Sequence, residues 1–145
     1  MTDARSARSL SELPDEATAI VTGSRHAILS TLGEDAAYAV PVVFVIDGDD
    51  IVMPVDEKPK SGKPLKRVRN IEANGTATLL FERWDEDWTQ LGWVMVRGAA
   101  RMDDRDVREK LADRYPQYRD PELDVDMGER VIVLTPERVT WWLWQ

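Results

Sequence analysis

A small β-barrel decorated by a few short helices is the fold class this sequence predicts, and three observations predict it. Short runs rich in β-branched and aromatic residues recur along the chain. The turns between them are brief and marked by Gly, Asp, Asn or Pro. Helical periodicity is confined to three stretches, so the strands must supply most of the core. At 145 residues the chain predicts one domain, 1–145, large enough to bury a core without staples.

The elements follow in order. Residues 1–9 are polar and expected to be frayed. Leu10, Leu13, Ala17, Ile20 and Val21 recur at helical spacing, with Ser11 or Asp15 as cap and Gly23 as terminator. Ala27–Leu32 reads as a strand and Gly33–Asp35 as a turn. Ala39–Ile46 is a longer apolar run, within which Pro41 predicts a bulge or an unpaired edge. Asp47, Gly48 and Asp49 form a hairpin signal leading into Ile51–Met53. Pro64 is expected to open a short helix with Leu65, Val68 and Ile71 as its buried stripe, ended by Asn74 and Gly75. Thr76–Phe81 and Leu91–Met102 are strands joined by an acidic, tryptophan-bearing loop, 82–88. Asp106–Tyr115 is an amphipathic helix stopped by Pro116. Val131–Leu134 and Val139–Trp144 are the last strands, separated by a turn at Pro136 and Glu137. There is no repeat, linker or low-complexity tract.

Composition excludes several kinds of chemistry. With 43% hydrophobic and 32% charged residues the chain is globular rather than disordered. Without cysteine there is no disulfide, thiolate metal site or thiol nucleophile, and one histidine excludes a multi-histidine zinc centre. A net charge of −8 argues against general nucleic-acid affinity. No apolar run approaches the ~20 residues of a bilayer span, and the N-terminus lacks the apolar core of a signal peptide. A cytoplasmic location is therefore expected, with neither nucleic acid nor membrane as partner. Six tryptophans point to aromatic packing, a stacked ligand, or both.

Against this acidic background, four of five lysines (Lys58, Lys60, Lys63 and Lys66) fall within nine residues, and Arg67 and Arg69 follow them. Residues 58–70 contain no carboxylate. On a helix starting at Pro64, Lys63 and Arg67 are four apart and repel each other unless an anion lies between them. The helix N-terminus adds positive potential and free N–H groups. The run is thus a phosphate site, with Arg67 as a planar fork and the lysines as point charges, or a solvated basic face, or a patch that pairs with the acidic loop at Asp85, Glu86 and Asp87.

The segments Val40–Val45, Val55–Lys60, Leu65–Asn74, Trp84–Trp88, Trp93–Val94 and Arg97–Gly98 together resemble the pyridoxamine 5′-phosphate oxidase-like split β-barrel superfamily. More narrowly they resemble its flavin/deazaflavin oxidoreductases, the B branch of F420-dependent enzymes. The resemblance spans roughly residues 25–103 and accommodates the closing strands, 131–144. It implies a mainly β, six-stranded split β-barrel of FMN-binding type with a few short helices. It also implies a homodimer with a cofactor in each cleft between subunits. Carried onto this sequence, the cofactor phosphate falls to Lys58, Lys60, Lys66 and Arg67. The ring falls beside the backbone of Pro41, Val42 and Val43 and of Pro54, Val55 and Asp56. Trp88 is expected beside the cofactor as a cleft wall, although Trp88 and Trp93 fit the core equally well. Two positions depart from the family pattern: Gly75 stands where proline is usual, and Met95 where arginine is common.

The resemblance implies an F420-dependent reductase in which hydride passes from C5 of the reduced deazaflavin to a small, conjugated, electrophilic substrate. The alternative is an FMN-binding flavoprotein of the same fold. The lysine-rich lane favours F420, whose polyglutamate tail FMN lacks. A reading from another class is a non-enzymatic module that docks an acidic partner through Lys58–Arg69. Cofactor chemistry requires no nucleophilic side chain, so no catalytic residue is assigned. His26 is expected to be a hydrogen-bonded turn residue rather than a catalyst. Ser30 and Thr31 are either ligand contacts or the outer face of a strand, and the acidic loop is a solvated turn in preference to a metal site. The C-terminal tryptophans Trp141, Trp142 and Trp144 are dimer contact, core or cleft wall.

Overall fold

The computed structural model describes residues 5–55 and 64–145. Its strands are β1 (Arg5–Ala7), β2 (Ala27–Leu32), β3 (Ala37–Val42), β4 (Val45–Asp47), β5 (Asp50–Pro54), β6 (Thr76–Arg83), β7 (Gly92–Asp103) and β8 (Val131–Leu143). Its helices are α1 (Asp15–Gly23), α2 (Lys66–Asn74) and α3 (Arg108–Arg114), with three short 3₁₀ turns between elements.

All strand pairs are antiparallel, in the order β3-β2-β6-β7-β8-β5-β4, with β1 alongside β8. Laid flat, the seven strands of that path would be about 29 Å across at ~4.8 Å per neighbour. Yet the two outermost, β3 and β4, are joined through Val43 and Phe44 alone. Three Cα steps reach at most about 11 Å. The sheet must therefore curl until its edges meet, while β3 and β4 remain unpaired. The result is a barrel open along one seam, a split β-barrel.

Inward-facing residues fill it. Ala27 and Leu29 of β2, Ala77, Leu79 and Phe81 of β6, Val94 and Val96 of β7, and Val139 of β8 alternate with outward neighbours along their strands and are buried in one cluster with Phe44 and Ile51. The Phe44 and Phe81 rings meet edge to face at 5.0 Å. The helices α1 and α2 contribute Ala17, Ile20, Val21, Val68 and Ile71 to that cluster. A second cluster lies outside the barrel wall, where α3 covers Val45, Val52 and Val133 with Val107, Leu111 and Tyr115. Two covered faces explain why Ile51, Val52 and Met53 are all buried instead of alternating. Arg105 anchors the α3 side to the hairpin through Asp47 (3.2 Å) and Asp50 (2.9 Å), and Lys110 reaches Asp47 at 2.6 Å. The hydrogen bond from Lys110 holds the Asp47 carboxyl below its ordinary range.

Tyr115 fastens the seam. Phe44 is where the chain crosses from one sheet edge to the other, and its N–H donates to the Tyr115 hydroxyl at 3.2 Å. That hydroxyl donates to the Arg25 carbonyl (2.9 Å) and accepts from Arg114 Nε (3.2 Å). Tyr115→Phe leaves the buried Phe44 N–H without this partner, at an expected cost of about 1–3 kcal/mol. Urea unfolding should show a lower midpoint with an unchanged slope; an unchanged midpoint would mean that the seam does not depend on this hydroxyl.

Several expectations are corrected. The Leu10–Val21 helix is broken, because Pro14 holds Leu13 extended (ψ 145°); a 3₁₀ turn at Leu10–Glu12 precedes α1. Arg5–Ala7, expected to fray, pair with β8. The Ala39–Ile46 run, expected as one strand, divides at the seam into β3 and β4. Leu65, extended at ψ 147°, is the cap of α2, so that helix begins at Lys66 rather than Pro64. The last two expected strands are one, β8, since Pro136 and Glu137 fall at a bulge opposite Arg97 and Gly98 rather than in a turn. The edge position predicted from Pro41 holds: among the described residues β3 pairs only with β2. No helix among the described residues is long and apolar enough to cross a membrane.

Candidate functional site

The helix α2 carries the described part of the basic run. Its apolar stripe, Val68 and Ile71, enters the barrel core, and Gly75 ends it in the left-handed conformation (φ 68°) with its N–H on the Ile71 carbonyl. No acidic residue lies in its first turn, so the helix's own residues do not neutralise its positive end. Lys66 and Arg67 occupy that turn on different sides. Lys66 Nζ lies 5.2 Å from the centre of the Tyr38 ring on edge strand β3. Arg67 is half-buried, and its Nε is shielded from solvent with no hydrogen-bond partner among the described residues. A shielded donor on a cation is costly when unpaired, which fits a site that an anionic ligand completes.

A cleft of about 470 Å³ runs between α2 and the β2–β3 turn, lined by Lys66, Arg69, Asn70 and Asn74 on one side and Gly33, Glu34 and Asp35 on the other. Its floor is tied down where Asn70 Nδ2 donates to Thr31 Oγ1 at 3.0 Å and Asn74 Nδ2 donates to the Leu32 carbonyl at 3.0 Å. Thr31 is thus buried against Asn70 rather than part of an outer face. Ser30 does face outward, in the alternate position.

Not all the expected residues gather here. Pro41, Val42 and Val43 follow Tyr38 along β3, with Pro41 about 10 Å farther on at ~3.3 Å per residue. Pro41 is exposed, while Val42 and Val43 are half-buried. Val55 is buried in the main core, which leaves only its backbone for a ligand. Asp56, Lys58, Lys60 and Lys63 lie outside the described residues. Trp88 is 57% exposed in the β6–β7 loop, at the other end of β6 from α2. The acidic loop is self-contained: Asp85 accepts from the Asp87 N–H and Asp87 accepts from Thr89. It does not pair with Lys66, Arg67 or Arg69.

His26 is exposed and lines a second cleft of about 370 Å³ with Arg25, Glu82, Arg83 and Trp84, above Ile28 and Leu80. Among the described residues its imidazole makes no hydrogen bond, contrary to the turn role expected of it. The tryptophans divide. Trp141 packs against the core; Trp142 stands opposite Trp93 on the outer face and meets Trp144 edge to face at 6.4 Å. Sequence reading overlooked Tyr38 and Asn70. Arg69 was visible in the basic run, three residues after Lys66, but Tyr38 carries no signal of its own.

An antiparallel barrel split along one seam, with a cationic helix start beside a sheet edge, defines the class: a split β-barrel of FMN-binding-like architecture. A family model described as pyridoxamine 5′-phosphate oxidase matches residues 13–143. The chain belongs to the pyridoxamine 5′-phosphate oxidase family. Solved structures with the same fold include a conserved hypothetical protein of Mycobacterium tuberculosis, Rv2991 (21% identity, TM-score 0.69, covering 99% of this chain and 91% of that one). The heme storage protein HutZ of Vibrio cholerae is another (14%, TM-score 0.64, 90% and 94%). So is an FAD-binding protein of Mycobacterium smegmatis (17%, TM-score 0.58, 90% and 94%). No curated protein matches the sequence.

Proposed function

We propose that the protein is an oxidoreductase that binds a flavin-type cofactor through its phosphate, with FMN as the first reading. The observation that carries it is the shielded, unpartnered Nε of Arg67 in the first turn of a helix without acidic residues there. When bound, the cofactor supplies two-electron transfer to a small-molecule substrate. The chain's own residues do the holding. Arg67 offers a planar fork to the phosphate, and Lys66, steadied over Tyr38, adds a point charge. Lys58 and Lys60 are proposed to reach the same group from the preceding segment. The free edge of β3 at Pro41, Val42 and Val43, with the backbone of Val55 and Asp56, is proposed as the surface for the ring.

F420 is the second reading. It is favoured by one feature, the spread of Lys58, Lys60, Lys63 and Lys66 along nine residues, which suits a polyanionic tail better than a lone phosphate.

A homodimer belongs to the same proposal. Pro41, Ile28, Leu80 and Met95 are in register across the outer face of β3, β2, β6 and β7, and Trp93 and Trp142 adjoin them. Such an apolar band is large for a free surface and suits a two-fold contact, which would also carry the partner's Trp88 toward the cofactor.

A binding titration decides between the cofactors. FMN should bind stoichiometrically and quench tryptophan fluorescence, and the complex should sediment as a dimer. Tighter binding of F420 than of FMN would reverse the order of the two readings. Binding of neither would remove the oxidoreductase proposal.

A further inference from the structure

The register across the outer face sets two arginines directly against each other. Arg97 of β7 is the partner of Arg138 of β8, and the adjoining pair, Val96 and Val139, is fully buried. Side chains alternate along a strand, so both guanidinium groups project from the opposite face, where both residues are exposed. Like charges directly opposite in a sheet are destabilising. The chain as a whole carries a net charge of −8. Among the described residues neither arginine forms an ion pair, although Glu137 adjoins Arg138 in the chain.

Many of the other arginines are engaged, although the side chains of Arg8 and Arg69 also form no hydrogen bond or ion pair among the described residues. Arg83, Arg105 and Arg119 are ion-paired, while Arg25, Arg108 and Arg114 donate to backbone carbonyls. Arg97 has only Met95 Sδ, 3.6 Å from Nη2, which leaves the rest of its fork open. The row continues through Thr78, the β6 partner of Arg97, to Ser30, the β2 partner of Thr78. Neither hydroxyl is hydrogen-bonded to another described residue. At ~4.8 Å between strands, Arg138, Arg97, Thr78 and Ser30 span about 14 Å in one line.

We propose that Arg97 and Arg138, with the Thr78 hydroxyl beside them, form a binding site for a phosphate or carboxylate oxyanion on the outer face of the sheet. An oxyanion between the two guanidinium groups accepts from both planar forks and turns their repulsion into attraction. Thr78 supplies a neutral donor one strand away, and Ser30 extends the row for a longer anion. The site shares no residue with the α2 cleft and stands whether the cofactor there is FMN, F420 or neither.

The test is thermal unfolding of the full chain in sodium chloride and in inorganic phosphate at equal ionic strength. Arg97→Ser and Arg138→Ser are compared with the parent, and Arg67→Ala reports phosphate bound at α2. Phosphate should raise the parent melting temperature by linkage. Each sheet-face variant should lose most of that rise, with apparent phosphate affinity down by about tenfold or more. In chloride both should melt at or above the parent, since each removes the repulsion. Arg67→Ala should retain the rise due to the sheet row. The proposal is overturned if Arg97→Ser and Arg138→Ser keep the full rise or melt below the parent in chloride. It is equally overturned if Arg67→Ala alone abolishes the rise, or if the parent shows none.

Discussion

Gly98→Ala should lower the melting temperature by about 6–12 °C, the equivalent of ~3 kcal/mol in a chain of this size. Gly98 sits where β7 passes the bulge in β8, and a Cβ there would stand 2.0 Å from the Thr135 carbonyl oxygen and 2.8 Å from its carbon. Both atoms are backbone, so no rotamer change relieves the contact. Relief requires β7 and β8 to separate, and their ladder runs the full length of β7, from Gly92 to Asp103. The residue beneath it is also engaged, since Thr76 Oγ1 donates to the Gly98 carbonyl at 3.3 Å. Overpacking against side chains costs ~1–3 kcal/mol, and against backbone the upper end is expected. That is a large share of the ~5–15 kcal/mol that holds a typical domain together. A circular-dichroism melt checks it; a shift smaller than about 2 °C would show that the bulge yields to an added methyl.

Arg67→Ala should weaken cofactor binding by about ten- to a hundredfold while leaving the melting temperature of the free protein almost unchanged. The affinity loss corresponds to the ~1.5–3 kcal/mol of a hydrogen bond to a charged group. The second half of the expectation separates a ligand site from a structural arginine. Arg67 Nε has no partner among the described residues, so little that is intramolecular is lost with it. Removing a shielded, unpaired donor can even stabilise the free chain. Fluorescence titration with FMN and with F420, run beside thermal melts, reads both halves. Unchanged affinity for both cofactors would take the phosphate away from α2. A large drop in melting temperature would make Arg67 a packing residue.

Much of the architecture was legible because it is written in local patterns. Alternation within Ala27–Leu32 places a strand with its actual bounds, and Gly75 marks the end of α2 because a left-handed cap suits a residue without Cβ. Pro41 announced an edge, since a proline cannot donate to a second neighbour. What stayed hidden depends on distant partners. The apolar run Ala39–Ile46 reads as one strand, yet it bridges the two edges of the sheet, and Tyr115, seventy-one residues after Phe44, holds the crossing. Pro136 and Glu137 read as a turn, but pairing with β7 carries β8 straight through them as a bulge. Thr31 read as equally suited to an outer strand face, but it is buried against Asn70 on another element. The site was half legible for the same reason. The run from Lys58 to Arg69 declares a concentration of positive charge by composition alone, whereas Tyr38 beside Lys66 and the opposition of Arg97 and Arg138 exist only once strands are in register.

By itself, then, the sequence determined the element types, the acidic character, the exclusion of cysteine chemistry and the place where positive charge gathers, all of them set by residue type and short-range spacing. Only the tertiary structure decided which cations act together. Side chains on neighbouring strands are brought face to face by backbone pairing, and side chains on one helix are sent to different sides by its 3.6-residue turn. Lys66 and Arg67, adjacent in sequence, are parted by that turn; Arg97 and Arg138, forty-one residues apart, are joined by the ladder.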